Sequence, residues 1–93
     1  MNADAVRAAL AGLLLWTLSY EGRAILRRVE VKGFARAAQL ANVAAWLGEQ
    51  QGHHPDVRFG WGYCEVTFTT HEAGGLTEND LICAAKLNAV LAV

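Results

Sequence analysis

The twelve residues from Val57 to Phe68 alternate apolar and polar side chains around a central glycine. Alternation with a period of two places successive side chains on opposite faces of a strand. Gly62-Tyr63 suits a two-residue type II′ turn, which takes Gly at its first central position. That turn pairs Trp61 with Cys64, Phe59 with Val66 and Val57 with Phe68, so all six apolar residues share one face. Arg58 opposite Thr67 and Gly60 opposite Glu65 form the other face. An apolar sheet face of this size has to be covered. This commits the chain to a sheet with helices packed on one side.

The remaining segments fit that plan. Asn2 or Asp4 caps a short first helix that ends near Gly12. Leu15 to Tyr20 alternates, with Trp16, Leu18 and Tyr20 on one side and Thr17 and Ser19 on the other. Glu21-Gly22-Arg23 forms a turn. A second strand follows, with Ile25, Val29 and Val31 opposite Leu26, Arg28 and Glu30, and with Arg27 as a blemish on its apolar face. Phe34 to Gln51 is rich in alanine and reads as the longest helix. Arg36, Gln39, Asn42, Glu49 and Gln50 form its narrow polar stripe, so most of the helix should be covered. Gly52 stops it. After Gly74-Gly75, Thr77 and Asp80 make a weaker form of the capping box at the start of the last helix, and Leu76 and Leu81 are placed for a hydrophobic staple. The expected fold is α+β, in the order α-β-β-α-β-β-α, with a four-stranded antiparallel sheet and helices on one face. A single domain spans 1–93.

Composition narrows the partners. The net charge is −1 with no basic run, which argues against nucleic acid, because phosphate neutralisation needs clustered Lys and Arg. The uncharged stretch from Ala8 to Tyr20 is too short to span a bilayer, and no small-x-small cleavage site follows it before Glu21. No membrane partner and a cytoplasmic location are therefore expected. Cys64 and Cys83 lack metal-ligand spacing and are expected to be reduced and packed. The chain is 54% apolar, which is high for so small a monomer, so a homodimer or homotetramer is expected.

The chemistry-bearing residues gather between Glu49 and Asp80. All three histidines lie there: His53 and His54, pinned by the only proline, Pro55, and His71, where the strand pattern gives way to Gly74-Gly75. Three readings compete. Three histidines and a water can hold zinc, although adjacent His53 and His54 diverge in an extended chain. They can also be purely structural. The third reading is general acid–base work on a neutral small molecule, for which imidazole is suited near neutral pH. Nucleophilic catalysis is weaker, since no Gly-x-Ser-x-Gly elbow exists and Cys64 lies on the apolar face of the hairpin. Gly74-Gly75 is too short to cradle a phosphate.

Glu49-x-x-x-His53-His54-Pro55, an aromatic strand, and then Thr70-His71-Glu72-Ala73-Gly74-Gly75-Leu76-Thr77-x-x-Asp80 closely resemble the pterin-4a-carbinolamine dehydratases. Trp16, the Glu21-Gly22-Arg23 turn, Ala24-Ile25 and Phe34 fall where that family has similar residues, so the resemblance covers nearly the whole chain. It implies a hydro-lyase that dehydrates 4a-hydroxytetrahydrobiopterin to quinonoid dihydropterin and recycles the pterin for aromatic amino acid hydroxylation. It also implies a functional link to phenylalanine hydroxylase and no metal or organic cofactor. By the same resemblance His53 and His71 transfer protons and His54 chiefly holds the pterin. Pro55, Thr70, Glu72 and Ala73 line the site, Glu49 orients the histidines and Trp16 supports them. Gly52 and Asn79 depart from the Asp and Arg that some members carry there, and Trp61-Gly62 is a less usual hairpin tip. The rival implication is a non-catalytic binding protein, since relatives include a dimerisation cofactor of a homeodomain transcription factor and Rubisco assembly factors.

Overall fold

The computed structural model describes residues 1–92, so Val93 of the expected single domain lies outside the described residues. The elements are α1 (Ala3–Ala11), β1 (Thr17–Ser19), β2 (Ala24–Glu30), α2 (Phe34–Gln51), β3 (Asp56–Gly60), β4 (Tyr63–Phe68) and α3 (Glu78–Val90). The order is the expected α-β-β-α-β-β-α. The four strands form one antiparallel sheet in the order β1-β2-β4-β3, so the apolar strand β4 is central and β3 is an edge.

Local chemistry sets the helix ends. Asn2 Oδ1 accepts from the Ala5 N–H at 2.8 Å and caps α1. Gly52 adopts a left-handed conformation (φ 63°) and ends α2. The next amide, His53 N–H, donates back to Gly48 O at 3.0 Å and turns the chain into the histidine loop. Helix and loop are close there: a Cβ on Gly48 would lie 2.4 Å from Pro55 Cδ. At α3, Asp80 Oδ2 accepts from the Thr77 N–H at 2.9 Å, the expected capping contact.

One face of the sheet carries Ile25, Cys64, Val66 and Phe68 into a core shared with Val6 of α1, Ala41, Ala44 and Leu47 of α2, and Cys83, Ala84 and Leu87 of α3. The small alanines let α2 sit close to the strands. The opposite face is polar. There Arg28 donates to Glu65 at 2.8 Å, and Arg58 lies 2.9 Å from the same carboxylate, which ties three strands together. Among the described residues no helix is long and apolar enough to cross a membrane.

Three details differ from expectation. The hairpin turns at Trp61-Gly62, with Gly60 opposite Tyr63, so Phe59 pairs with Cys64 and Val57 with Val66. The pairing is shifted by two residues, and an even shift leaves every side chain on its expected face. The positive φ of 90° falls on Gly62 as the second turn residue, as in a type II turn rather than II′. Phe59 and Trp61 consequently sit at the open end of the apolar face and are exposed, with Phe59 against Phe34 at 5.5 Å between ring centroids. The first strand is only Thr17–Ser19, because Leu15 (φ 74°) and Tyr20 (φ 50°) leave the extended conformation. Trp16 is buried while Leu18 and Tyr20 are exposed. Arg27 is no blemish. It is buried on the core face, where desolvation pushes its guanidinium pKa down, and Nη1 donates to Asn88 Oδ1 at 2.7 Å. The same oxygen accepts from Trp16 Nε1 at 2.9 Å.

Candidate active site

His53 and His54 leave α2 in opposite directions. Extended backbone, which Pro55 favours at the residue before it, sends neighbouring side chains to opposite sides. His53 turns inward, with its ring lying nearly parallel to Phe68 (centroids 5.9 Å apart, planes at 11°). Its Nε2 is 2.5 Å from Asp80 Oδ1, and the Asp80 side chain has no exposure at all. His54 turns outward and meets Glu49 at 2.8 Å, with both side chains largely exposed.

Asp80 is the hub. Its second oxygen, Oδ2, accepts from Thr70 Oγ1 and from the Thr77 N–H, each at 2.9 Å. Thr70 and Thr77 hydroxyls also lie 2.9 Å apart. A carboxylate with no water needs several donors to be tolerated, and here an imidazole, a hydroxyl and an amide supply them. One side chain thus joins the end of α2, the end of β4 and the start of α3. Sequence reasoning placed Asp80 only as a helix cap. The available signal was its spacing from His71 in the Thr70–Asp80 segment, but burial by the histidine loop is a tertiary event.

His71 follows Thr70 and opens an exposed 3₁₀ turn, His71–Ala73. The loop is closed by paired bonds between Thr70 and Gly75, at 3.2 and 3.3 Å, and Gly74 takes the left-handed conformation (φ 71°). Ala73 N–H is already donated to Thr70 O at 3.1 Å. His71 lines a cleft of about 410 Å³ together with Tyr20, Arg23, Asp56, Thr67 and Thr69. Neither His53 nor His54 lines that cleft.

The structure therefore ties His53 and the residue before His71 to one carboxylate, leaves Glu49 on His54 alone, and gives Trp16 an indirect place. Trp16 packs on Phe68 at 5.8 Å, and Phe68 is the ring that His53 lies against. Among the described residues no group of three or more His, Cys, Asp or Glu could hold a metal ion. Cys64 and Cys83 are free and buried, and burial pushes both thiols up, which disfavours thiolate chemistry.

The chain is similar to known proteins. The pattern of the family described as pterin 4 alpha carbinolamine dehydratase fits residues 1–90. A Paracoccus denitrificans protein, provisionally named a pterin-4-alpha-carbinolamine dehydratase, is 53% identical over 96% of this chain and 83% of its own length. A Legionella pneumophila protein of the same provisional name is 37% identical over 98% of this chain and 81% of its own. Among solved structures, a Brucella melitensis protein described as a transcriptional coactivator/pterin dehydratase superposes with a TM-score of 0.86. It is 31% identical, over 97% of this chain and 96% of its own. A pterin dehydratase-like protein identified as a RuBisCO assembly factor in the alpha-carboxysome shares the fold, with a TM-score of 0.64 at 23% identity over 80% of this chain and 86% of its own. With its order of elements, its histidine segments and these matches, the chain belongs to the pterin 4 alpha carbinolamine dehydratase family.

Proposed function

We propose that this protein is a hydro-lyase that dehydrates 4a-hydroxytetrahydrobiopterin to quinonoid dihydropterin, serving pterin recycling beside an aromatic amino acid hydroxylase such as phenylalanine hydroxylase. The observation that carries the reading is the buried Asp80 that holds His53 and, through Thr70, anchors the loop of His71. Dehydration breaks the C4a–O bond, transfers a proton to the departing hydroxyl, removes the N5 proton and forms the C4a=N5 double bond. Two imidazoles can do this without a metal or organic cofactor. With Nε2–H donated to Asp80, His53 keeps the Nδ1 lone pair and can accept the N5 proton. His71 then supplies the proton to the hydroxyl, and the two roles exchange on the opposite stereoisomer. His54 holds the pterin, and Pro55, Thr70, Glu72 and Ala73 line its place.

The enzyme works in the cytoplasm as a homodimer or homotetramer in this reading. Support for assembly is the exposure of large apolar side chains, Trp46 and Phe34 at 55% and Trp61 at 74%. Light scattering at micromolar concentration should show a species larger than the 10.0 kDa monomer. A non-catalytic role as a binding or assembly protein is the rival, prompted by the coactivator half of the Brucella melitensis protein's description. Turnover decides between them. The wild type should accelerate dehydration of a 4a-hydroxytetrahydropterin over the uncatalysed rate, and dialysis against chelator should leave that rate unchanged. His53→Ala/His71→Ala should abolish the acceleration on both C4a isomers. A wild type that gives no acceleration would favour the binding protein.

A further inference from the structure

The cleft that His71 lines holds polar groups that the dehydration itself does not use. Asp56 lies on the polar face of the sheet, opposite Thr67, and neither side chain makes a hydrogen bond or ion pair among the described residues. Tyr20 lines the same cleft with a φ of 50°, an uncommon conformation for an aromatic residue, and its side chain is exposed. Two chain segments wall both this cleft and the place proposed for the ring. Pro55 lines the ring's place, and Asp56, the next residue, lines the cleft. Thr70 turns its hydroxyl to Asp80, and Thr69, the residue before it, lines the cleft. His71 borders both. At about 410 Å³ the cleft is within the usual range for small-molecule sites, roughly 300–1,000 Å³.

We infer that the cleft receives the C6 substituent of the pterin, and that Asp56 selects a substituent carrying adjacent hydroxyls. The inference rests on the dehydratase reading, in which the ring stays at the histidine loop and the turn after β4, and deepens it to the substrate's side chain. C6 is bonded to N5, which loses its proton, and N5 to C4a, which loses hydroxide. A substituent on C6 therefore begins beside the two histidines that do this work. On the side of His53 the space is filled, since its neighbours Phe68 and Asp80 have no exposure. On the side of His71 the cleft is open. There a carboxylate, an acceptor with two oxygens, matches two adjacent hydroxyl donors. Arg23, held to Glu21 only at 3.4 Å and in the open, and the Thr67 hydroxyl are available to the hydroxyl oxygens. The Tyr20 ring offers an apolar face to the C–H groups of the chain.

The test compares two substrates with the same ring, the 4a-hydroxy forms of tetrahydrobiopterin and of 6-methyltetrahydropterin, in which a methyl replaces the dihydroxypropyl chain. The wild type should show a KM lower by about tenfold or more for the dihydroxypropyl substrate, the size expected for a hydrogen bond to a charged group. Its kcat for the two should agree within about threefold, because the chain binds alike in ground and transition states. Asp56→Ala, at an exposed strand end, should fold normally by circular dichroism. It should raise KM for the dihydroxypropyl substrate by about tenfold and leave KM for the methyl substrate within about twofold, so that the selectivity is lost. Thr67→Val should shift the selectivity the same way by a smaller factor, and carries the test if Asp56→Ala does not fold. Equal KM values for both substrates in the wild type, or variants that raise both by the same factor, would overturn the inference. The dehydratase reading would then stand, since both substrates would still be turned over. A wild type that accelerates dehydration of neither substrate would overturn both.

Discussion

His53 and His54 are neighbours in the chain and opposites in the molecule. His53 lies against Phe68 and is hydrogen-bonded to a fully buried carboxylate, whereas His54 meets Glu49 in the open. The same side chain is positioned in one case and merely tethered in the other. An ion pair between exposed groups contributes little and lets the ring move. A buried carboxylate with three donors fixes both the position and the tautomer of its imidazole. In the proposed dehydratase reading, the demanding task, proton transfer, falls to His53 and the tolerant one, holding substrate, to His54.

Several changes break or sharpen this contrast. Phe68→Ala removes the ring under His53 from a fully buried site, and should cost about 3–5 kcal/mol by denaturant unfolding. The His54–Glu49 contact lies outside the core and should survive it. Asp80→Ala leaves the Thr70 hydroxyl and the Thr77 N–H without their acceptor, for a loss of about 1–3 kcal/mol. It should also lower kcat, because His53 loses its anchor. Glu49→Gln should change stability by less than about 1 kcal/mol and leave kcat unchanged. The smallest effect tests a carboxylate remote from the histidines. Hydrogen bonding from Arg28, helped by Arg58, holds Glu65 below the usual carboxylate range. Its contribution is present above the unfolded-state pKa and is lost as pH falls through the lowered folded value. Glu65→Gln should therefore flatten the acid limb of the stability curve by slightly lowering stability near neutral pH, with the difference from wild type vanishing at low pH.

Much of the fold was legible because short-range chemistry specifies it. Helix α2 fills Phe34–Gln51 and stops at Gly52 as the alanine content and the glycine require. The hairpin faces were legible even though the pairing was not. Type II and type II′ turns both accept a positive φ at Gly62 and differ only in which turn position it occupies. The choice is supported by distant contacts, Gly62 N–H to Gly33 O at 3.3 Å and Val31 N–H to Gly62 O at 3.0 Å, which local pattern does not contain. Arg27 was misread for a similar reason, since its partner Asn88 is 61 residues away. At the site, the histidines were found by their clustering and by family resemblance. Asp80 was seen only as a cap, because a cap and a buried anchor look alike until another loop covers them.

The most direct measurement is the split between kcat and KM for His53→Ala and His54→Ala, taken on each C4a isomer of the carbinolamine. His53→Ala should lower kcat by roughly 10²–10⁴ where chemistry limits turnover, with KM little changed, because the lost interaction belongs to the transition state. His54→Ala should raise KM first, because holding the pterin acts on ground and transition states alike. Equal kinetic signatures for the two variants, or an unchanged kcat for His53→Ala/His71→Ala on both isomers, would contradict the division between the buried and the exposed histidine.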